Sequence, residues 1–288
     1  MNLERILESH RAWLTSGGTK GEIANLRSDN LRGAELSGAE LRMAEMKFAD
    51  LRSAALSGTD LRRANLKGAT LIDANLSGAK LQEANLTSAD FTGAKLAGAF
   101  LASALAEQAN LSASVLESAH LVGANFNRAV LREAHFENAD LAGASFEGAD
   151  LAHAHLREVD LSSATLKGAN LKGADLSGAC LRGANLHNVD LKEARLAGAD
   201  LWGAVLGTAV ASDTDLRFAD LREANLNGVD MRNADLRHAK FHGATLAGAQ
   251  LQGADLSFAM GISAEQAGQI VRDEHTCLPD ETEVQSQV

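Results

Sequence analysis

Large apolar residues return at every fifth position from Leu26 to Leu256, and the phase is never lost. Along it only Ala106 and Ala211 are not large and apolar. Two residues before nearly every one comes a small residue, almost always alanine, as at Ala24, Ala34, Ala39, Ala44 and Ala49. A period of five fits neither common element. On an α-helix five residues advance about 500°, so successive leucines would step about 140° and form no stripe. On a straight strand an odd period sends each leucine to the face opposite the last. The chain must therefore turn once per repeat, so that every leucine reaches one interior. The pattern predicts a solenoid whose repeats touch mainly their neighbours.

The flanks follow a different rhythm. Leu3, Ile6, Leu7, His10 and Leu14 have helical spacing. They predict an amphipathic helix over 3–14, ended by Ser16-Gly17-Gly18. Ser263 and Gln266 have the spacing of a capping box, with Ile262 and Ala267 as a staple, which predicts a helix to about residue 274. Both helices are expected to cover the open ends of the solenoid, its exposed core and its strand edges. Residues 279–288 are polar and acidic and read as disordered. The expected organisation is a helical cap over 1–23, the repeats over 24–260, and a C-terminal helix with an acidic tail over 261–288.

Composition narrows the function. The 288 residues include 26 glycines, one proline and no tyrosine, so large aromatic pockets are not expected. Cys180 and Cys277 are the only cysteines and make neither a disulfide framework nor a metal site. No apolar run reaches the roughly 18 residues of a membrane span, and the first residues lack the basic-then-apolar order of a signal peptide. A cytoplasmic protein is expected. The net charge of −11 is partly terminal, since residues 261–288 hold six acids against one base.

The repeat units themselves read Ala24-Asn25-Leu26, Ala64-Asn65-Leu66, Ala139-Asp140-Leu141, Ala174-Asp175-Leu176 and Ala219-Asp220-Leu221. Their consensus, A-(D/N)-L-x-x, resembles the pentapeptide-repeat family over most of the chain, and the leader from Ile6 to Leu26 is similar to the N-terminal segment of many members. The resemblance implies an all-β fold, a right-handed quadrilateral β-helix with short N- and C-terminal capping helices. Four pentapeptides would make one square coil of 20 residues, with the leucine and the preceding alanine inward. At about 4.8 Å per coil, about 12 coils would make a rod of about 56 Å. Residues 20 apart would be neighbours. Ala106 then faces Leu86 and Phe126, and Ala211 faces Leu191 and Met231. Either the neighbours fill the missing volume or the coil kinks there.

No catalytic constellation emerges, and neither enzyme activity nor a cofactor is expected. The glycines follow the repeat and form no phosphate-cradling loop. His135 and His155, 20 apart, with His153 and Asp175 nearby, are the only plausible metal cluster; a flat wall brings few ligands together, so a surface histidine stack is the plainer reading. Asp140, Asp160, Asp200 and Asp220, with Cys180 among them, share one outward phase. They form either a charged stripe or a solvated face whose side chains bond nearby turns.

Outward apolar residues are the remaining signal. Between Lys95 and Arg128 there is no lysine or arginine, and Phe100, Leu105, Val115 and Val122 point outward, followed by Val130. On a 20-residue coil they form a girdle more than a flat patch. Trp202, Val205 and Val210 form a second group. Phe218, His238 and Phe258 form a single column beside the C-terminal cap, expected to meet the C-terminal helix or a second subunit. Exposed apolar patches beyond a few hundred Å² mark interfaces, whereas single apolar residues scattered over a surface are ordinary, and the first two groups fit either reading. The expected function is a non-enzymatic protein-binding rod, its protein partner unidentified, that binds neither nucleic acid nor membrane directly and pairs through its C-terminal end as a homodimer. The family resemblance implies an alternative, a DNA-mimicking modulator or protector of a type II topoisomerase such as gyrase, acting through an acidic face. A duplex of that length carries about 33 negative charges at one per roughly 1.7 Å. The repeats carry 29 acids against 23 bases, so mimicry needs the charge sorted onto one face.

Overall fold

The computed structural model describes residues 3–279 and divides into two compact units, Met1–Asp140 and Leu141–Val288. Each is a right-handed quadrilateral β-helix. Among the described residues only two helices occur, α1 (Leu3–Thr15) and α2 (Ala264–Gln269).

The period of five produces this geometry through its hydrogen bonds. Within each unit, residues at this period form parallel bridges with the residue 20 further on, as in Asn25↔Glu45 and Glu40↔Asp60 in the first unit and Asp160↔Cys180 in the second. Around one bridge, the Leu26 N–H donates to the Glu45 carbonyl at 2.7 Å and the Glu45 N–H to the Ala24 carbonyl at 2.9 Å. Each bridge is followed by a corner. The Ala34 N–H closes on the Leu31 carbonyl at 3.0 Å, and φ is positive at Gly33, the third residue of that turn. That combination is a type II turn. It recurs at every corner, so residues such as Ser28, Arg63 and Thr208 also take the left-handed conformation, which costs a side-chain-bearing residue about 1–2 kcal/mol. The ladder satisfies the backbone so fully that the chain tolerates this.

Leucines and alanines of the repeat fill the interior of each unit, almost all of them fully buried. Each buried leucine contributes about 1.5–3 kcal/mol. Ala106 and its stacked neighbours Leu86 and Phe126 are all sealed, and the Ala106 N–H still reaches the Asn125 carbonyl at 2.7 Å. In the second unit the Ala211 N–H reaches the Asp230 carbonyl at 2.7 Å. The ladder therefore runs unbroken through both small residues. Where a hydroxyl replaces the inward alanine it finds a carbonyl: Thr59 Oγ1 donates to Leu36 at 2.7 Å, Ser114 Oγ to Leu111 at 2.7 Å, and Thr214 Oγ1 to Ala211.

The first unit is closed by α1, which buries His10 completely. The Ala24 N–H donates to His10 Nδ1 at 3.1 Å, tying the helix to the first coil. In the second unit α2 starts on the expected capping box: Gln266 N–H donates to Ser263 Oγ, and Ser263 N–H to Gln266 Oε1. The helix is shorter than its sequence predicts. It ends at Gln269 because Ile270 turns extended and buries its side chain, and the chain then rejoins the ladder through Gln250↔Val271 and Asp255↔Cys277. Thr276 Oγ1 and Gln266 Nε2 also bond carbonyls of the last coils, those of Leu251 and Ala244. The C-terminal segment is thus a helix followed by two further bridges. The end of the expected acidic tail, 280–288, lies outside the described residues.

Candidate protein-binding surfaces

Phe218, His238 and Phe258 occupy the third position of successive type II turns, all with φ near +60°. Side chains there lean toward the following coil. Their rings consequently stack, with centroids 4.7 Å apart and planes 1° apart for Phe218 and His238, and 5.0 Å and 9° for His238 and Phe258. Such pairs contribute about 0.5–1.5 kcal/mol each beyond area burial. His238 is half-buried between its neighbours, yet Phe218 stays 61% and Phe258 55% exposed. Neither α2 nor the bridges after it covers the column.

Alongside runs a charged ladder. Arg217 donates to Asp215 through Nε and Nη2 at 2.8 and 2.7 Å, and Arg237 to Asp235 at 2.8 and 2.6 Å. Each arginine also approaches the aspartate one coil on, Asp235 at 3.6 Å and Asp255 at 3.9 Å. The bonds from these arginines hold the Asp215 and Asp235 carboxyls below the usual carboxylate range, against the opposing effect of burial.

The same fork recurs wherever the sequence reads Asp, apolar, Arg: Asp50-Arg52, Asp60-Arg62, Asp220-Arg222 and Asp230-Arg232. At Asp50 it pulls the carboxyl down to about 2. In each fork the aspartate also accepts the arginine's backbone N–H. Read from sequence, the aspartates group only by outward phase, with none paired to an arginine; the D-x-R spacing was the available signal.

The forks bear on the acidic column. In the second unit Asp160, Cys180, Asp200 and Asp220 succeed one another on one wall, followed by Lys240. Asp220 is held by Arg222, and Asp200 Oδ2 lies 2.5 Å from Arg182 Nε. Asp160 accepts the Ser162 N–H at 2.8 Å. Asp140 belongs to the first unit, where it follows His120. The stripe is therefore a mixed-charge wall.

The first apolar group wraps the first unit. Phe100, Leu105, Val115 and Val130 bridge on four different walls, to Lys80, Asn85, Lys95 and Asn110. Phe100 stacks on His120 at 4.8 Å and 14°. Leu105 and Val122 are exposed and Val115 is half-buried. Trp202, Val205 and Val210 are likewise exposed along a single coil of the second unit. Exposed residues that the sequence analysis did not single out include Met43 and Phe48, although they share the turn position that exposes Phe218. Of the two histidines, His135 lies in the first unit, its Nδ1 3.5 Å from Glu137 Oε1, and His155 in the second, where it bridges to Asp175.

Among the described residues no helix is long and apolar enough to cross a membrane. The model of the family described as pentapeptide repeats matches in eight copies, over residues 30–68, 69–105, 109–148, 149–188, 190–228 and 219–257. The chain belongs to the pentapeptide-repeat family. Among solved members is HetL, a pentapeptide repeat protein involved in heterocyst differentiation regulation from the cyanobacterium Nostoc sp. strain PCC 7120. It is 32% identical, with 78% of this chain and 91% of that chain covered and a TM-score of 0.42. QnrB1, a plasmid-mediated fluoroquinolone resistance protein, is 19% identical over 72% of this chain and 90% of its own, with a TM-score of 0.42. Rfr23 from the cyanobacterium Cyanothece 51142 is 23% identical over 45% and 90%, with a TM-score of 0.23. No curated protein matches the chain.

Proposed function

We propose that this pentapeptide-repeat protein is a non-enzymatic protein-binding scaffold that pairs with a second copy of itself through the Phe218–His238–Phe258 column. The observation that carries this reading is the exposure of two stacked phenylalanines that the chain's own described C-terminal residues leave open. A two-fold contact uses the same patch on both subunits, and a stack of flat ring edges beside a ladder of both charge signs is self-complementary. Phe100, Leu105, Val115, Val122 and Trp202 remain for other protein partners. A cytoplasmic setting suits the free thiols Cys180 and Cys277. Sedimentation equilibrium of wild type and column variants tests the pairing.

The topoisomerase alternative requires a face of uncompensated negative charge. The arginine partners of Asp200 and Asp220 weigh against it.

A further inference from the structure

The last turn of α1 and the glycines after it stand opposite the corner where Arg42, Arg62 and Gln82 follow one another on successive coils. Between them lies a cleft of about 460 Å³, within the range of small-ligand sites. One side is apolar. Trp13 is half-buried and stacks on the buried His10 at 6.0 Å and 8°. Met43, lifted outward by its left-handed turn conformation, is 40% exposed toward the cleft. Gly18 lets the indole lie where it does, since a Cβ there would stand 3.3 Å from Trp13 Nε1.

The other side is cationic, with Arg42, Arg62 and Arg63 in its lining against Glu83, and Asp60 behind them. Only one of the three arginines is firmly engaged. Arg62 donates through Nε and Nη2 to Asp60 at 2.8 and 2.6 Å. Arg42 Nε stands 3.5 Å from the same carboxylate, and Arg63 Nε 3.6 Å from Glu83, with both of that pair about two-thirds exposed. Exposed pairs of that kind contribute about 0–1 kcal/mol, so an incoming anion displaces little. The carbonyl end of α1 contributes a partial negative charge, which the arginines outweigh.

We propose that this cleft binds a carboxylate carried on an apolar group, with Arg42 and Arg63 on the carboxylate and the apolar group between Trp13 and Met43. The C-terminal residue of a peptide and a free small acid share this chemistry. The chain has two tryptophans, so NMR of the full-length protein offers two indole N–H signals: Trp13 as reporter, assigned with Trp13→Phe, and Trp202 as internal control. The probes are N-acetyl-Val-Leu, its C-terminal amide, and 4-methylpentanoate. The expected result is a saturable shift of the Trp13 signal alone, about tenfold weaker for the amide because a charge-assisted bond is lost. Arg42→Gln/Arg63→Gln should weaken the peptide acid to a similar degree while leaving the thermal melt unchanged. A response to 4-methylpentanoate as strong as to the peptide acid identifies a free acid as the ligand class; a response to the peptide acid alone identifies a chain terminus. Equal shifts by acid and amide, no shift with either acid up to about 10 mM, or undiminished binding by the folded arginine variant would overturn the proposal. The acid–amide comparison needs only wild-type protein, so a variant that fails to fold does not remove the test.

Discussion

Gly21 packs its Cα directly against the Ser9 carbonyl of α1. A Cβ there would overlap that oxygen and stand 2.9 Å from the Trp13 nitrogen. Both obstacles are helix backbone, which cannot rotate away. Gly21→Ala is therefore expected to push α1 off the first coil and to strain a turn with φ of +71°. Hydrogen exchange should rise across 3–26 and stay unchanged in the second unit. Unchanged protection of α1 would show that the helix is not seated as described.

The same cap should sense acid. Burial holds the His10 imidazole below its ordinary value of 6.5, and the Arg42 charge adds to this, against the opposing effects of the Arg42 backbone and Glu40. His10 Nδ1 accepts the Ala24 N–H, which only the unprotonated nitrogen does. The unfolded chain binds a proton near pH 6.5 and the folded cap does so only at lower pH. Below about 6.5 the unfolded state thus holds more protons, and stability falls as pH drops toward the folded value. Above pH 7 this contribution should be flat. Exchange protection of α1 at pH 7.5 and 5.5 checks this, and His10→Asn, which keeps an acceptor without titrating, should remove the difference.

Inward and outward positions should differ sharply in the second unit. Leu176 is completely buried, so Leu176→Asp places an unpaired carboxylate in the core and should unfold or fray the coils. Lys172 lies on the surface, 3.9 Å from Glu193, and Lys172→Ala should shift stability by less than about 0.5 kcal/mol. Denaturant melts of the two variants should have widely separated midpoints.

For the aromatic column the expected species is a dimer. Sedimentation equilibrium of wild type at tens of micromolar should give twice the 30.2 kDa of one chain, and Phe218→Ser/Phe258→Ser should return it to monomer. A monomeric wild type rules the pairing out, and a dimer indifferent to the double change moves the interface elsewhere.

A gyrase supercoiling assay addresses the charged wall. With Asp200 and Asp220 each held by an arginine, no inhibition or protection is expected at tens of micromolar. Activity that disappears with Asp200→Asn/Asp220→Asn would restore the topoisomerase reading.

The fold was legible because one physical demand, a leucine inward every fifth residue, repeats without interruption. The α2 start was legible too, since a capping box is a local pattern of two side chains. Its end was not. Val271 and Cys277 return to the ladder 21 and 22 residues after their partners, off the 20-residue register, and no phase marks them. The column of Phe218, His238 and Phe258 followed from the period of five together with the 20-residue coil that the family resemblance implies. Its mixed-charge surroundings did not, because an Asp–Arg fork depends on side-chain reach as well as on spacing. Met43 was hidden for another reason: its exposure matters only beside Trp13, and no repeat relates the two.

A ladder that joins each residue to the one 20 ahead makes the surface pattern a matter of counting. Deleting a single pentapeptide, such as 224–228, would leave every leucine inward and every corner a type II turn. It would also turn all that follows by a quarter of a coil, so that Phe218 and His238 no longer met at the same corner. Deleting four pentapeptides would bring the corners back into line. Gains and losses of five residues thus keep the scaffold while scrambling what it displays, and only changes of twenty hand down both.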